Sequence, residues 1–229
     1  MRKQKFKNIA IITARKGSRR IKNKNLKFFF SKPIIYYSIK ILQKAKIFDA
    51  IFVTTNCDKT EKISKKFGIK HFIRRKDSLC KNKVGTVRVI NFCLKTLSKQ
   101  GIYPKFVCCH YPASPLTNFK ILIFAYKTLL RKKINFIFTS TNIKKTHKEK
   151  NKLVKIFHIK KKQGILNNKY LAAGQFWYAK TNTWKSSKTV YDKNSFIIPI
   201  EEKYSDINTM LDWKRVKKIF SENKEKYIN

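Results

Sequence analysis

Positively charged side chains crowd one short segment that follows the first strongly apolar run of the sequence. The apolar run is Ile9–Ala14, and the cations after it are Arg15, Arg19, Arg20 and Lys24. Gly17 lets the backbone approach a ligand closely, and the Ser18 hydroxyl adds a donor. Converging cations and backbone N–H groups neutralise and orient a triphosphate. The residue types therefore indicate a polyphosphate site, although a solvated basic loop explains the composition equally well.

The elements that position this segment alternate regularly along the chain. Short continuous apolar runs predict buried strands at Ile9–Ala14, Ala50–Thr55, Ile69–Ile73, Phe106–Tyr111 and Asn135–Thr141. Apolar spacings of three and four predict helices between them at Pro33–Lys46, from a cap at Asp58 to an end at Gly68, at Val84–Ser98 and at Asn118–Arg131. Further strands are predicted at Gln175–Ala179 and Phe196–Ile200, and a closing helix at Thr209–Glu222.

Repeated strand–helix units force a parallel sheet with helices on both faces. We therefore predict an α/β fold, with a three-layer, doubly wound and mostly parallel sheet, in a single domain over residues 1–229. Ligands of such sheets bind beyond the carboxyl ends of the strands. The basic segment begins at one of these ends, which favours a ligand-binding role.

One long segment, about residues 142–170, interrupts the alternation. It is rich in lysine and contains one short apolar run, Leu153–Ile159. Its length exceeds that of an ordinary connection in a compact domain. It is either a disordered loop or an arm that packs on a second subunit, and the second interpretation predicts a homodimer.

Composition limits the classes of function. The 55 Lys and Arg residues against 12 Asp and Glu give a net charge of +43, but the lysines are dispersed from Lys3 to Lys226. Dispersion favours a lysine-coated exterior over a specific nucleic-acid surface.

The basic segment matches neither G-x-G-x-x-G nor G-x-x-x-x-G-K-[ST], so no dinucleotide or P-loop site is predicted. Five cysteines without framework spacing suggest the reducing cytoplasm, and no apolar run is long enough for a membrane span.

The basic segment resembles a known sequence signature, A-R-G-G-S-K-R-[IL]-P-x-K-N. The matching positions are Ala14, Arg15, Gly17, Ser18, Arg19, Arg20, Ile21, Lys24 and Asn25. That signature opens the cytidylyltransferases of acidic sugars, which form CMP-neuraminic, CMP-legionaminic and CMP-pseudaminic acids and have a Rossmann-like nucleotidyltransferase fold. The resemblance implies that Arg15, Gly17, Ser18, Arg19, Lys24 and Asn25 bind CTP. Lys16 and Lys22 depart from it, and a glycine at position 16 would supply a positive φ.

Three further blocks extend the resemblance. Arg74, followed by Gly85 and Thr86, is similar to R-P-x-x-L-x-x-D-x-T-G-T with one extra residue of spacing. The block Phe106–Leu116 implies that Tyr111 and Ser114 face the nucleotide. The block Ala173–Trp177 is similar to the D-A-G-Q-F-Y-W of the pseudaminic branch, which implies that Gln175 binds the sugar. Lys162 falls near an arginine implied to bind the sugar carboxylate.

The last block, Ser205–Trp213, resembles the family's D-I-D-T-x-x-D-[WL], whose leading aspartates hold a divalent metal. It implies a Mg²⁺ site at Asp206 and Asn208, which lie two apart and so point the same way on an extended segment. Asn208 replaces an aspartate and brings no charge. From the residues alone, a helix cap or turn residue is the preferred interpretation of Asp206, and Asp212 belongs in the first turn of the closing helix, where its charge suits the dipole.

The reaction implied by the resemblance is transfer of CMP from CTP to a nine-carbon acidic sugar, pseudaminic acid, with release of pyrophosphate. Arg15, Lys24 and Asp206 would be its catalytic residues. Two alternatives stay open: neuraminic or legionaminic acid as the sugar, and a decayed relative that binds nucleotide or nucleic acid without turnover. Each enzymatic interpretation requires the basic segment and the Asp206 segment to meet in one cleft.

Overall fold

The computed structural model describes residues 6–18, 20–81, 83–142, 154–155, 159–160, 165–166, 170–192, 194–200 and 206–228. Arg19, Lys162 and most of the predicted arm lie outside the described residues. The strands are β1 Asn8–Thr13, β2 Phe28–Phe29, β3 Lys32–Pro33, β4 Ala50–Thr55, β5 His71–Arg74, β6 Phe106–His110, β7 Phe136–Asn142, β8 Val154–Lys155, β9 Ile159–Lys160, β10 Ile165–Leu166, β11 Tyr170–Lys180 and β12 Phe196–Ile200. The helices are α1 Ile34–Ala45, α2 Asp58–Lys66, α3 Thr86–Lys99, α4 Phe119–Arg131, α5 Thr181–Ser186, α6 Met210–Glu222 and α7 Lys224–Ile228.

One twisted sheet organises the described chain, in the order β5-β4-β1-β6-β11-β7-β12-β8. The pairs β5–β4, β4–β1, β1–β6 and β7–β12 are parallel. Strand β11 runs antiparallel between β6 and β7, and its register with β7 shifts between Ala172 and Trp177. The predicted α/β class and mostly parallel sheet are confirmed, with β11 as the long antiparallel exception.

Two apolar layers hold helices against the two faces of the sheet. On one face, α1 buries Ile39 and α4 buries Leu122, together with Ala10 and Ile12 of β1. Helices α3 and α5 cover the opposite face, where Ile11 of β1 is buried. Successive β1 side chains thus enter opposite layers, which explains why its sequence is a continuous apolar run rather than an alternation.

A third apolar cluster joins the end of the described chain to its beginning. Phe29, in the β2–β3 hairpin, is fully buried and meets the rings of Tyr37, Trp213 and Phe220 edge-on at centroid distances of 5.3, 5.6 and 5.3 Å. Ile207, between the two predicted metal ligands, is fully buried in the same cluster. The cluster therefore fixes the backbone of the Asp206 segment beside the N-terminal part of the fold.

Some local predictions were wrong. Strand β5 begins at His71 rather than Ile69, because Ile69 N–H bonds the Ser64 carbonyl in the turn that ends α2. Asp58 is the first residue of α2 and not its cap, since Cys57 occupies that position. The hairpin and α5 were not predicted. No helix in the described parts of the chain is both long enough and apolar enough to cross a membrane.

Trp184 offers a test of the α5 packing. It is fully buried, its Nε1 donates to the Val107 carbonyl at 3.0 Å, and its ring meets Phe136 edge-on. We expect Trp184→Ala to lower the free energy of unfolding by about 3–5 kcal/mol, measured by denaturant titration, because it leaves a cavity and an unpaired carbonyl. Tyr103→Ala, at a side chain that is 69% exposed, is the control and should change stability by less than about 1 kcal/mol. Equal losses in the two variants would contradict this packing account.

Candidate functional site

A cavity of about 630 Å³ opens at the carboxyl ends of β1, β5 and β6. This volume lies within the range of small-molecule sites. The lining residues come from five separate stretches of the described chain and are Thr13, Arg15, Ser18, Arg20, Lys24, Asn25, Arg75, Leu79, Lys81, Val84, Thr86, Val89, Tyr111, Pro112, Ala113, Gly174, Asp206 and Asn208. The predicted position of the ligand site, beyond the carboxyl ends of the parallel strands, is therefore where the cavity lies.

The basic loop after β1 is held by its own polar atoms. Arg15 Nη1 donates to the Cys80 carbonyl at 2.8 Å, and Asn25 Nδ2 donates to the Arg15 carbonyl at 2.9 Å. The left-handed backbone falls at Gly17, with φ 89°, and not at Lys16. Lys16 in place of a glycine therefore introduces no left-handed strain, and its N–H is satisfied by Asn56 Oδ1 at 2.8 Å.

Two hydrogen bonds join this loop to the segment before α6. Lys24 Nζ donates to the Ile207 carbonyl at 2.6 Å, and Arg20 Nη2 donates to Asn208 Oδ1 at 2.6 Å. Burial lowers the pKa of Lys24, an effect that the Asp206 carboxylate opposes. The convergence that the sequence analysis required is confirmed, because Arg15, Lys24, Asp206 and Asn208 face one cavity.

The acidic segment is itself internally bonded. Asn208 Nδ2 donates to Asp206 Oδ2 at 2.7 Å, and the Asn208 N–H bonds Asp212 Oδ2 at 3.0 Å. Asp212 also forms a reciprocal capping box with Thr209, so its predicted place in the first turn of α6 is confirmed. Desolvation by the cavity walls raises the pKa of Asp206, although part of its side chain stays exposed, and the Asn208 amide and Lys24 oppose this shift.

The donor set fits a magnesium ion that is shared with a substrate. Among the described residues, no group of three or more His, Cys, Asp or Glu side chains could hold a metal by itself. Asp206 supplies the one carboxylate among the lining residues, and Asn208 supplies an uncharged amide oxygen that also accepts from Arg20. Mg²⁺ is commonly held by one or two carboxylates together with substrate phosphates and water, so the site suits a metal that arrives with a polyphosphate.

Arg75 is a cavity residue that the sequence analysis missed. Its side chain is 4% exposed, Nη2 donates to the Thr54 carbonyl at 3.1 Å, and Nε has no hydrogen-bond partner among the described residues. Burial lowers its pKa. Arg74, which was predicted to open this block, instead points outward and pairs with Asp58. A guanidinium that lines the cavity from a buried position is placed to bind an acceptor on a ligand.

The sequence contained a signal for this correction. Starting the R-P-x-x-L motif at Arg75 places Leu79 at the motif's leucine and removes the extra residue before Gly85 and Thr86. Strand β5 ends at Arg74, so the next residue is the one at the carboxyl edge of the sheet. Register on the strand therefore distinguishes the two adjacent arginines.

Three predicted residues support the cavity without lining it. Gly17 forms the loop turn, and the buried Ser114 donates through Oγ to the Gly174 carbonyl at 3.0 Å. Gln175 is 1% exposed, and its Nε2 donates to the Leu116 carbonyl at 3.2 Å. Neither Ser114 nor Gln175 is among the lining residues, so neither is assigned a ligand contact. Arg19 and Lys162 lie outside the described residues.

Tyr111 lines the cavity as predicted, but its hydroxyl is already engaged. The hydroxyl lies 2.8 Å from Thr86 Oγ1 and accepts from Trp177 Nε1 at 3.1 Å. Desolvation raises the pKa of Tyr111, so the phenol stays neutral near pH 7. The two partners fix the position of the Tyr111 side chain in the cavity wall.

Comparison with known proteins agrees with this geometry. The family model described as cytidylyltransferase matches residues 9–224. A pseudaminic acid cytidylyltransferase of Campylobacter jejuni is 29% identical over 230 residues, which cover 96% of this chain and 99% of the relative, and the protein of the same name from a second strain is 28% identical over the same shares. The solved structure of a CMP:2-keto-3-deoxy-manno-octonic acid synthetase complexed with CTP shares the fold, with TM-score 0.69 at 12% identity over 94% of this chain and 99% of the other. The chain belongs to the cytidylyltransferase family.

Proposed function

We propose that this protein transfers CMP from CTP to pseudaminic acid and releases pyrophosphate. The observation that carries the proposal is the bonding of the basic loop to the acidic segment through Lys24 and Arg20, which gathers cations and one carboxylate around a single cavity. The choice of sugar is supported by the names of the two Campylobacter relatives and by the Ala173–Trp177 block.

The reaction forms one bond and breaks one bond at the α-phosphorus of CTP. An oxygen of the sugar's anomeric hydroxyl attacks that phosphorus, the bond to the β-phosphate oxygen breaks, and pyrophosphate leaves with the negative charge. Fixed cations that face this charge lower the barrier without reorganising during the reaction. No side chain is assigned as the general base that takes the hydroxyl proton.

The cavity cations are assigned to separate parts of the nucleotide. Arg15, Arg20 and Lys24 surround the loop side, where they would neutralise the triphosphate, and Ser18 and Asn25 add polar groups there. Arg75 lies in the wall, where its guanidinium would meet an acceptor on CTP. Asp206 would hold Mg²⁺, which would supply charge neutralisation for the triphosphate. Because Lys24 and Arg20 are anchored to the acidic segment, nucleotide and carboxylate are held in a fixed relation.

The homodimer, and a cytoplasmic location, belong to the proposal and rest on sequence arguments. All five cysteines are free in the structure, which suits a reducing compartment. The short strands β8, β9 and β10 fall within the predicted arm and attach it to the main sheet. Sedimentation as a monomer at micromolar concentration would count against the dimer.

The activity is tested directly by pyrophosphate release. With CTP and Mg²⁺, we expect pseudaminic acid to give the fastest release, followed by legionaminic or neuraminic acid, because the two Campylobacter relatives are named for that sugar and the Ala173–Trp177 block resembles that branch. A preference for neuraminic or legionaminic acid would transfer the proposal to that sugar. A folded protein that binds CTP but releases no pyrophosphate with any sugar of the panel would refute it and favour a decayed relative.

The role of Arg75 is tested against its neighbour. We expect Arg75→Lys to raise KM for CTP about tenfold or more, because a charge-assisted hydrogen bond contributes about 1.5–3 kcal/mol and lysine cannot reproduce the guanidinium fork. Arg74→Lys is the matched control, since Arg74 is exposed and outside the cavity lining, and it should leave KM unchanged. Thermal melting of both variants checks that the fold is kept. Similar KM values in both variants would remove Arg75 from the nucleotide site.

Asn208 is tested by restoring the acid. Asn208→Asp adds a second carboxylate beside Asp206, with Arg20 already in place to face it. We expect half-maximal activity at several-fold lower Mg²⁺, measured by pyrophosphate release at fixed CTP, because a second carboxylate strengthens binding of a hard cation. Asn223→Asp, at an exposed asparagine after α6, controls for added negative charge. An unchanged Mg²⁺ requirement would exclude residue 208 from the metal site.

A further inference from the structure

Gly174 touches the proposed metal carboxylate with bare backbone. The residue lies in the irregular part of β11, with φ 64°, and it lines the cavity. A Cβ placed on Gly174 would lie 2.8 Å from Asp206 Cγ, 2.9 Å from Asp206 Cβ and 3.2 Å from Asp206 Oδ1. Atoms this close would force the carboxylate to move, so the Asp206 side chain occupies the space that any other residue at 174 would fill.

Hydrogen bonds from buried residues hold the backbone around Gly174. Ser114, which is 1% exposed, donates through Oγ to the Gly174 carbonyl at 3.0 Å. The next peptide is fixed as well, because the Tyr111 N–H bonds the Gln175 carbonyl at 2.9 Å and Gln175 Nε2 bonds the Leu116 carbonyl at 3.2 Å. These bonds tie the bulge to the loop after β6, so the surface that Asp206 rests on is part of the rigid sheet.

The other carboxylate oxygen of Asp206, Oδ2, is held by a hydrogen bond. Asn208 Nδ2 donates to this oxygen at 2.7 Å, and Lys24 and Arg20 act on Asp206 electrostatically from the basic loop. The carboxylate therefore has the Gly174 backbone close to Oδ1 and the Asn208 amide on Oδ2. The position of the Asp206 carboxylate relative to the triphosphate-binding loop depends on how closely the carboxylate approaches the Gly174 backbone.

We propose that Gly174 is a positioning residue. Because Gly174 has no side chain, the Asp206 carboxylate can occupy the position from which it binds the metal–nucleotide complex. The inference rests on the proposed function, in which Asp206 is the anionic metal ligand. Ser114 contributes to the same positioning of Asp206, because it fixes the Gly174 peptide. The positioning role of Gly174 also explains why a block taken as sugar-binding from its sequence has its glutamine buried and its glycine in the cavity.

The test compares Gly174→Ala with Gly101→Ala. Gly101 has a similar left-handed φ of 73°, but a Cβ there would meet no heavy atom within 4 Å, so it reproduces the backbone strain without the contact. Binding of Mn²⁺ in the presence of CTP, without sugar, is measured by electron paramagnetic resonance. We expect Gly174→Ala to weaken Mn²⁺ binding by about tenfold or more, as displaced metal ligands commonly do, while CTP binding without metal is unchanged. Gly101→Ala should bind Mn²⁺ like the wild type.

A double-mutant cycle with Asp206→Asn shows whether the effect acts through the carboxylate. We expect Gly174→Ala to add less than about twofold in the Asp206→Asn background, since contacting residues that act as a unit are not additive. Should Gly174→Ala fail to fold, Ser114→Ala is the second variant, and it should weaken Mn²⁺ binding without changing metal-free CTP binding.

The outcomes separate the two proposals. Equal Mn²⁺ binding by the Gly174 and Gly101 variants, or full additivity with Asp206→Asn, contradicts the positioning role of Gly174. Neither result affects the proposed reaction. A wild-type protein that binds Mn²⁺ with CTP but releases no pyrophosphate with any sugar refutes the reaction. The comparison of the two glycine variants still tests the positioning role of Gly174. A wild type that binds no Mn²⁺ with CTP overturns both.

Discussion

The site depends on hydrogen bonds between two segments that are far apart in the sequence. Lys24 reaches the Ile207 carbonyl across a separation of 183 residues, and Arg20 reaches Asn208 across 188. A cationic loop alone repels itself, and a lone carboxylate in a partly enclosed cavity is poorly solvated. Bringing the two together lessens both problems and leaves a pocket whose field attracts a polyphosphate. The apolar cluster around Phe29 and Ile207 makes this meeting possible, because it fixes the backbone on which the polar groups stand.

Backbone geometry at two glycines gives this site its shape. Gly17 turns the loop after β1, with nothing within 4 Å of the place where a Cβ would stand. Gly174 does the reverse, since the space beside its bare backbone is filled by Asp206. Polar side chains such as Ser114 and Gln175 then act beneath the surface, holding peptides rather than ligands. The binding chemistry is thus presented by long cationic side chains, whereas their placement comes from short and buried ones.

Much of the fold could be predicted from the sequence, because the continuous apolar runs and the helical spacing are strong local signals. The hairpin around Phe29 could not, since two-residue strands carry no periodicity and the hairpin is stabilised by rings on α1 and α6. The cationic loop and the Asp206 segment could be identified as site candidates from their residue types. Their contact partners could not be predicted. The register of β5 decides which of two adjacent arginines enters the cavity. The irregular pairing of β11 decides whether the buried glutamine faces ligand or backbone, and this pairing is set by tertiary structure.

The aromatic cluster that carries Ile207 has a consequence for how the protein is made. During synthesis the parallel strands β1, β4, β5 and β6, with α1 to α3, emerge well before α6 supplies Trp213 and Phe220. Until those rings arrive, Phe29 lacks its neighbours and the loop cations lack their carboxylate. The growing chain on the ribosome therefore carries most of the cations that line the cavity, but the cavity is completed only once the α6 stretch has docked.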